Sequence, residues 1–364
     1  MTEARPANHD RINLRFEHET QPQRVLFGSG DAVPNVAREV QRLGAAAVMV
    51  IASATEQAIT ERLDTEIPVA LRYSDIVMHV PVEVADRARV AAAEHGIDLL
   101  LCVGGGSTTG LAKAIALTTG LPIIAVPTTY AGSEATNVWG LTDGGTKTTG
   151  IDGRVLPRAI VYDAALTRTL PVPMSVASGL NALAHCVDSM WAPRTDPIDQ
   201  AIATEGIRAL RRGLPAVVAE PTGLDGREQT LYGAYLSAVA FASAGSGLHH
   251  KICHVLGGKY NLPHAQTHAI VLPHVLALNA PAAPEAEFRL AAALHADRAI
   301  DGLQALRTRL EAPNALRDIG FRREDIPAAA AAILPSVPAG NPAPVTTETL
   351  ELLLLAAWDG ADPR

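Results

Sequence analysis

Strand-like runs stop abruptly near Leu170. Before it, from about residue 20, short apolar runs alternate with amphipathic stretches. The runs are RVLFGSG, AAVMVIAS, DLLLCVGGGS, LPIIAVPTT and RAIVYD; VPNVAREVQRLG and VEVADRARVAAAEHG lie between them. Short buried strands that alternate with helices need crossover connections, so the spacing predicts a mostly parallel sheet. One antiparallel excursion is expected where Asp143, Gly144 and Gly145 signal a hairpin. Past Pro171 and Pro173 helical spacing dominates, with helices expected over 174–191, 197–212, 227–244, 248–256, 284–295, 299–311, 325–333 and 346–358. The expected architecture is a polar arm to about residue 20 leading into an α/β domain over 1–170. An all-helical domain follows over 171–364, with a cleft between the two.

A chain of 364 residues can bury two cores. It is 48% hydrophobic but only 4% aromatic, so those cores are aliphatic and rich in alanine. The net charge of −8 argues against nucleic acid as a partner, since that needs a basic face. An anionic substrate must then be drawn in by locally placed Lys, Arg or His. Cys102, Cys186 and Cys253 are odd in number and lack CxxC spacing, which fits a reducing cytosol. Cys186 and Cys253 adjoin His185 and His254, and small buried filler is the expected role. MTEARPANHDRIN lacks the apolar core of a signal peptide, and AAAVMVI and LELLLLAAW are too short to span a bilayer. The expectation is a cytoplasmic protein with neither membrane nor nucleic-acid partner.

Gly104-Gly105-Gly106-Ser107 ends a strand, and Thr108 opens the helix run TTGLAKAIALTTG. Three glycines let backbone approach a phosphate, and the free amides and dipole of the helix start face it. A tight turn alone would need one glycine. Pro127-Thr128-Thr129 brings hydroxyls to the same sheet edge, where open α/β sheets bind ligands. Gly28-Ser29-Gly30 also ends a strand and is either a second contact or only a turn. No GxGxxG opens the first βαβ unit, and the second strand ends in Ser53 rather than an acid. An acid there would repel a 2′-phosphate, so both NADH and NADPH are expected to bind.

His250 and His254 sit four apart, as do Asn181 and His185, and His264 follows ten residues after His254. A four-residue step puts two side chains on one helix face. Two helices and a following loop can thus aim five polar groups at one pocket. Such a set suits a divalent metal, except that Asn181 stands where a metal would want a carboxylate. Lys251 is one step from His250 and faces either solvent or the pocket. His249, His268 and His274 are expected to be structural, and Arg322 and Arg323 to lie on the surface or clamp substrate. Tyr130 is either a proton donor or packing.

GGGSTTGLAK, PTTYAGSEAT, GLNALAHCVD, GLHHKICHVLGG and LPHAQTHAIVLPHV occur in an order and spacing that covers nearly the whole chain. Together they resemble the iron-containing alcohol dehydrogenase superfamily and, within it, the maleylacetate reductase family. The resemblance implies that fold, and NADH or NADPH as cofactor. It also implies reduction of the C=C bond of maleylacetate to 3-oxoadipate, a step of aromatic-compound breakdown. Metal-dependent members bind their ion through an Asp and three His, positions matched here by Asn181, His185, His250 and His264. His254 matches a further His near the nicotinamide. Asn181, and Gly110 in place of the Asp of GGGSxxDxAK, depart from the metal-dependent pattern. The implied catalytic residues are His250, His254, Lys251, His185 and Tyr130. The implied cofactor contacts are Gly28, Ser53, Gly104, Gly105, Gly106, Ser107, Thr108, Thr128, Thr129 and Ser133. No metal is expected to be required, and imidazolium donors are expected to hold the enolate and attract a small dicarboxylate. A homodimer is expected. Three alternatives stand beside this reading: a metal-dependent alcohol or glycerol dehydrogenase, a lyase of the dehydroquinate synthase type, and a non-catalytic dinucleotide sensor.

Overall fold

The protein is described by a computed structural model that covers residues 14–144 and 146–363. The first half runs β1 (Arg24–Phe27), α1 (Ala32–Leu43), β2 (Val48–Ala52), α2 (Gln57–Leu63), β3 (Val69–Tyr73), α3 (Val82–Glu94), β4 (Leu99–Gly104), α4 (Gly106–Thr119), β5 (Ile123–Pro127), β6 (Val138–Asp143), β7 (Thr146–Ile151) and β8 (Ala159–Tyr162). Helices follow: α5 (Val172–Ser189), α6 (Pro197–Ala219), α7 (Leu224–Ala244), α8 (Leu248–Tyr260), α9 (His264–Asn279), α10 (Pro284–Leu294), α11 (Ala299–Arg309), α12 (Ile326–Ile333) and α13 (Thr347–Asp359). An α/β sheet region followed by helices is the fold class the sequence predicts.

Six strands form one parallel sheet in the order β1-β8-β5-β4-β2-β3. Its central strands are apolar throughout because helices cover both faces. Val50, Leu101, Val103 and Val126 pack with Val36, Val40 and Leu63 of α1 and α2. Met49, Ile51, Leu100 and Cys102 pack on the other face with Ala85, Ala88, Leu111 and Ile115 of α3 and α4. The register pairs Gly104 with Pro127, so the GGGS loop and the Thr128-Thr129 pair emerge level at one sheet edge. The expected hairpin is β6–β7, closed by the Asp143–Thr146 pair; Gly145, part of that signal, lies outside the described residues. Most of the expected polar arm, residues 1–13, lies outside them too.

Three elements escape the sequence reading: the short helix α2, β3 and α9. VALRY forms β3, an edge strand whose half-exposed alternation gives no continuous apolar run. HAQTHAIVLPHVLALN forms α9, although Pro273 lies inside it. Proline at that position cannot donate to the carbonyl of Ala269 one turn earlier. The buried guanidinium of Arg307 donates to that carbonyl instead, so the helix continues. Among the described residues no helix is long and apolar enough to cross a membrane.

Candidate active site

The sheet supplies a backbone wall. Gly104 holds φ +148°, and a Cβ there would lie 2.5 Å from Thr108 Oγ1, so only glycine fits. The helix α4 starts at Gly106 with Gly105 as its N-cap and no side-chain cap among the described residues. Its first-turn amides are therefore left for a ligand, which is the chemistry a pyrophosphate needs. The chain runs from β2 out to β3 and returns to β4 on the other side of β2, a reversal at which such sheets bind nucleotides. Gly106, Ser107, Thr129 and Ser133 face the cavity there, while Thr108 is buried beneath the loop.

Ser53, just past β2, has a different surrounding from the one expected. Its Oγ accepts from the Thr55 amide at 3.3 Å and donates to Glu56. The other Glu56 oxygen accepts from Thr128 Oγ1 at 3.3 Å. A carboxylate thus stands beside the strand end after all, supplied three residues later and folded back by a short 3₁₀ turn. The expectation of an acid-free strand end is corrected.

Helices supply the facing wall of a cavity of about 870 Å³. Asn181 and His185 come from α5, Phe241 from α7, His250, Lys251 and His254 from α8, and His264 from the first residue of α9. The four-residue spacings hold, while the expected loop at His264 is a helix start. His185 stacks on Phe241 and on His250, with ring centroids 4.9 Å apart in each case. His250 Nδ1 lies 2.8 Å from Asp188 Oδ2, which also accepts from the amides of Gly247 at 2.9 Å and His250 at 3.3 Å. Three N–H groups converging on one oxygen put the Nδ1 proton on His250 and aim its Nε2 away from Asp188. That Nε2, His185 Nδ1 and Asn181 Oδ1 are buried and make no hydrogen bond among the described residues.

Burial sets the charge of this wall. It lowers His185 to about 4 and His250 well below its ordinary value, with neighbouring histidines adding to both. It raises Asp188 to about 7, against the pull of the amides. The buried imidazoles are neutral, so the expected cationic histidines are corrected: desolvation outweighs the gain from charge. Positive charge comes from Lys251 on the cavity wall and from Arg194 at its mouth. Arg194 is placed by donating to the carbonyls of Ser243 at 3.0 Å and Ala242 at 3.2 Å.

Comparison with known proteins places this geometry in a family. Residues 22–164 match the iron-containing alcohol dehydrogenase family, and residues 175–358 match its C-terminal part. A maleylacetate reductase of Burkholderia cepacia is 43% identical over 96% of this chain and 99% of its own length. One from Sphingobium indicum is 44% identical over 96% and 99%. The crystal structure of a Rhizobium maleylacetate reductase superposes with TM-score 0.90 at 42% identity, covering 96% of this chain and 99% of that one. The chain belongs to the iron-containing alcohol dehydrogenase family, among its maleylacetate reductases. Members of this group are NAD(P)H-dependent oxidoreductases, and so is this chain.

Several predicted positions lie elsewhere than the reading of the family motifs implied. Tyr130 is fully buried away from the cavity; its hydroxyl accepts from the buried Arg227 at 3.0 Å, and its amide donates to Ser178 at 3.1 Å. It is a packing residue, not a proton donor. The amide of Gly28 donates to the Tyr162 carbonyl at 3.0 Å, and β1 lies at the far edge of the sheet, three strands from β4. That turn closes on its own neighbours and does not reach the cavity lining. His249 and His268 are buried behind the wall and bond each other at 3.0 Å. Arg322 is exposed and pairs with Asp325. All three cysteines are buried, and burial pushes the Cys102 thiol up to about 12 and raises the other two as well, so none is a reactive thiolate.

The family's ion can be tested against these donors. Asn181 is an amide, His185 and His250 are neutral, and the family's carboxylate position is the one that Asn181 occupies. The histidines whose ring nitrogens all lie within 4.8 Å of one another are instead His249, His250 and His268. Two of those three are already bonded to each other behind the wall. The four family positions do not fit a closed Fe²⁺ or Zn²⁺ site, which wants an anionic oxygen or sulfur among its ligands.

Other site residues were not legible. Glu56, Arg194 and Phe241 lie outside the motifs, and Asp188 closes GLNALAHCVD with no spacing that marks its role. Val80 holds φ +47°, rare for a β-branched residue, and lines the cavity above Gly110. A Cβ at Gly110 would lie 2.9 Å from Val80 Cγ2, so the missing motif Asp leaves the room that this loop occupies.

Proposed function

We propose that the enzyme reduces the C=C bond of maleylacetate to 3-oxoadipate with NADH or NADPH. The relatives' names support the substrate, and the cavity supports the chemistry. The observation that carries it is the electrically neutral wall of Asn181, His185 and His250, with cationic Lys251 and Arg194 beside it. A carboxylate at position 181 would repel a dicarboxylate substrate; an amide does not.

The GGGS loop and the start of α4 would hold the cofactor pyrophosphate, with Thr129 and Ser133 alongside. When bound, the nicotinamide supplies the hydride to the carbon β to the ketone. Lys251 and Arg194 bind and orient the two carboxylates. His250, held in position by Asp188, presents Nε2 to the cavity, and His254 stands one turn further along α8. His254 holds the enolate oxygen and carries the proton that the α-carbon takes up, while His250, whose Nε2 is an acceptor, positions the bound substrate. A hydrogen-bond donor on this wall serves an enolate without a metal, and we read the enzyme as metal-independent on the strength of Asn181.

The free, buried cysteines support a cytoplasmic setting. Exposed Val25 and Phe27 on edge strand β1 support a homodimer. The deciding assay follows NADH oxidation with maleylacetate and identifies the product. Formation of 3-oxoadipate is expected. Turnover of simple alcohols with NAD⁺ and none of maleylacetate would remove this reading.

A further inference from the structure

A second side-chain cluster lies where the described start of the chain crosses the beginning of α6. His18 Nδ1 is 2.7 Å from Asp196 Oδ2 and 3.8 Å from Asp199 Oδ1. Asp196 caps α6, and its two oxygens have separate partners. Oδ1 accepts from the amides of Ile198 at 2.7 Å and Asp199 at 2.9 Å, which leaves Oδ2 for His18. The Asp199 side chain has no exposed surface, and neither of its oxygens makes a hydrogen bond of ordinary geometry among the described residues. Ser243, at the end of α7, is close enough to favour its charged form, yet burial still raises Asp199 to about 6. Ser243 Oγ also lies 3.4 Å from His18 Nδ1. The cluster therefore joins three segments that are distant in sequence.

Charge balance points to a ligand. Two buried carboxylates face a single imidazole. A protonated His18 neutralises one of them and leaves the other uncompensated in a place that water does not reach. A divalent cation neutralises both and takes the imidazole as a neutral third donor. One donor atom from each of the three residues lies within 4.8 Å of the others, so a small movement would close them around one ion. One nitrogen and two carboxylate oxygens suit Zn²⁺ or Mn²⁺ better than Ca²⁺, which takes six or more oxygens. None of the three residues lines the catalytic cavity.

We propose that His18, Asp196 and Asp199 form a structural site for a divalent transition-metal cation that fastens the N-terminal segment to the helical half. Zn²⁺ is the probe. Wild type, His18→Gln and Asp199→Asn are stripped of metal, equilibrated with zinc sulfate, desalted and analysed for zinc by mass spectrometry. The cavity histidines are the same in all three, so any zinc they bind cancels in the comparison. Wild type should retain one equivalent more than either variant. Zinc should also slow proteolysis within residues 14–23 in wild type, and at least about 10-fold more zinc should be needed for the same protection in the variants. Circular dichroism checks that each variant is folded, and Asp199→Asn keeps the side-chain shape if His18→Gln loosens the segment. Equal zinc retention in the three folded proteins would overturn the proposal and leave the cluster as a His18–carboxylate ion pair only.

Discussion

The two walls of the cavity are built from different materials. The sheet wall is backbone: Gly104, Gly105 and Gly106 matter because they have no side chains, and the proposed recognition falls to the start of α4. The helical wall is side chain: His185, His250 and Asn181 each need a particular orientation, and neighbours such as Asp188 and Phe241 provide it. A backbone wall fails when something is added to it. A side-chain wall fails when something is removed, and the loss spreads to whatever the missing group was holding.

His250→Ala is the strongest test of that difference. It removes the ring that stacks on His185 in the cavity wall and strands Asp188 in the core. Turnover should fall about 10²-fold, the cost of misplacing a reacting group by about 1 Å. Stability should fall as well, by about 3 kcal/mol, the low end for stranding a buried charge because Asp188 can take up a proton. His254→Ala removes a half-buried side chain and should lose turnover without that loss of stability. Thermal melts and steady-state kinetics on both variants check this. Equal stability of the two would mean that Asp188 does not depend on His250.

Gly105→Asp tests the other wall by addition. The new carboxylate would meet phosphate, and its Cβ would sit 2.9 Å from Thr129 Cγ2. Cofactor affinity should drop about 100-fold, or about 2.7 kcal/mol, measured by fluorescence titration with NADH. The helical wall should be untouched, so the melting temperature should move little. A folded variant with unchanged cofactor affinity would place the pyrophosphate elsewhere.

The same difference governs how much of the molecule was legible in the sequence. Glycines before a helix announce a backbone site directly, because other residues cannot adopt φ +148° at Gly104 or fit beside Thr108. Periodicity announces which histidines share a face, and His185, His250, His254 and His264 do meet. Their charge was not legible. It depends on how much water reaches them, which only packing against Phe241 and the neighbouring rings decides. The choice between the two roles of Tyr130 is hidden for a similar reason: its partner Arg227 is nearly a hundred residues away and leaves no trace near the motif. Pro273 hid α9 because the substitute donor, Arg307, is also remote.

Glu56 offers a smaller effect on the sheet wall. Its carboxylate is fixed between Ser53 and Thr128 at the strand ends where a ribose would lie. A charge there should disfavour a 2′-phosphate, so NADH should be preferred over NADPH. Glu56→Gln keeps the shape and removes the charge, and should shift the kcat/KM ratio towards NADPH by about 10-fold, or about 1.4 kcal/mol. An unchanged ratio would show that another group sets the preference.

The smallest expected effect concerns metal. With Asn181 in place of a carboxylate, and with His185 and His250 neutral, the family positions lack the anionic ligand, and among the described residues their histidines are not grouped around one point. Incubation with EDTA followed by desalting should therefore change turnover of maleylacetate by less than about twofold, since an amide is a poor substitute for an anionic ligand. Asn181→Asp sharpens the comparison. It should raise retained Zn²⁺ or Fe²⁺ while weakening binding of the dicarboxylate, because the added charge faces the same cavity as the substrate. The two readouts, metal content and KM, should move together in that variant and not in Asn181→Gln. Loss of wild-type activity on chelation, restored by one particular ion, would show that the neutral wall binds a metal despite its lack of a carboxylate.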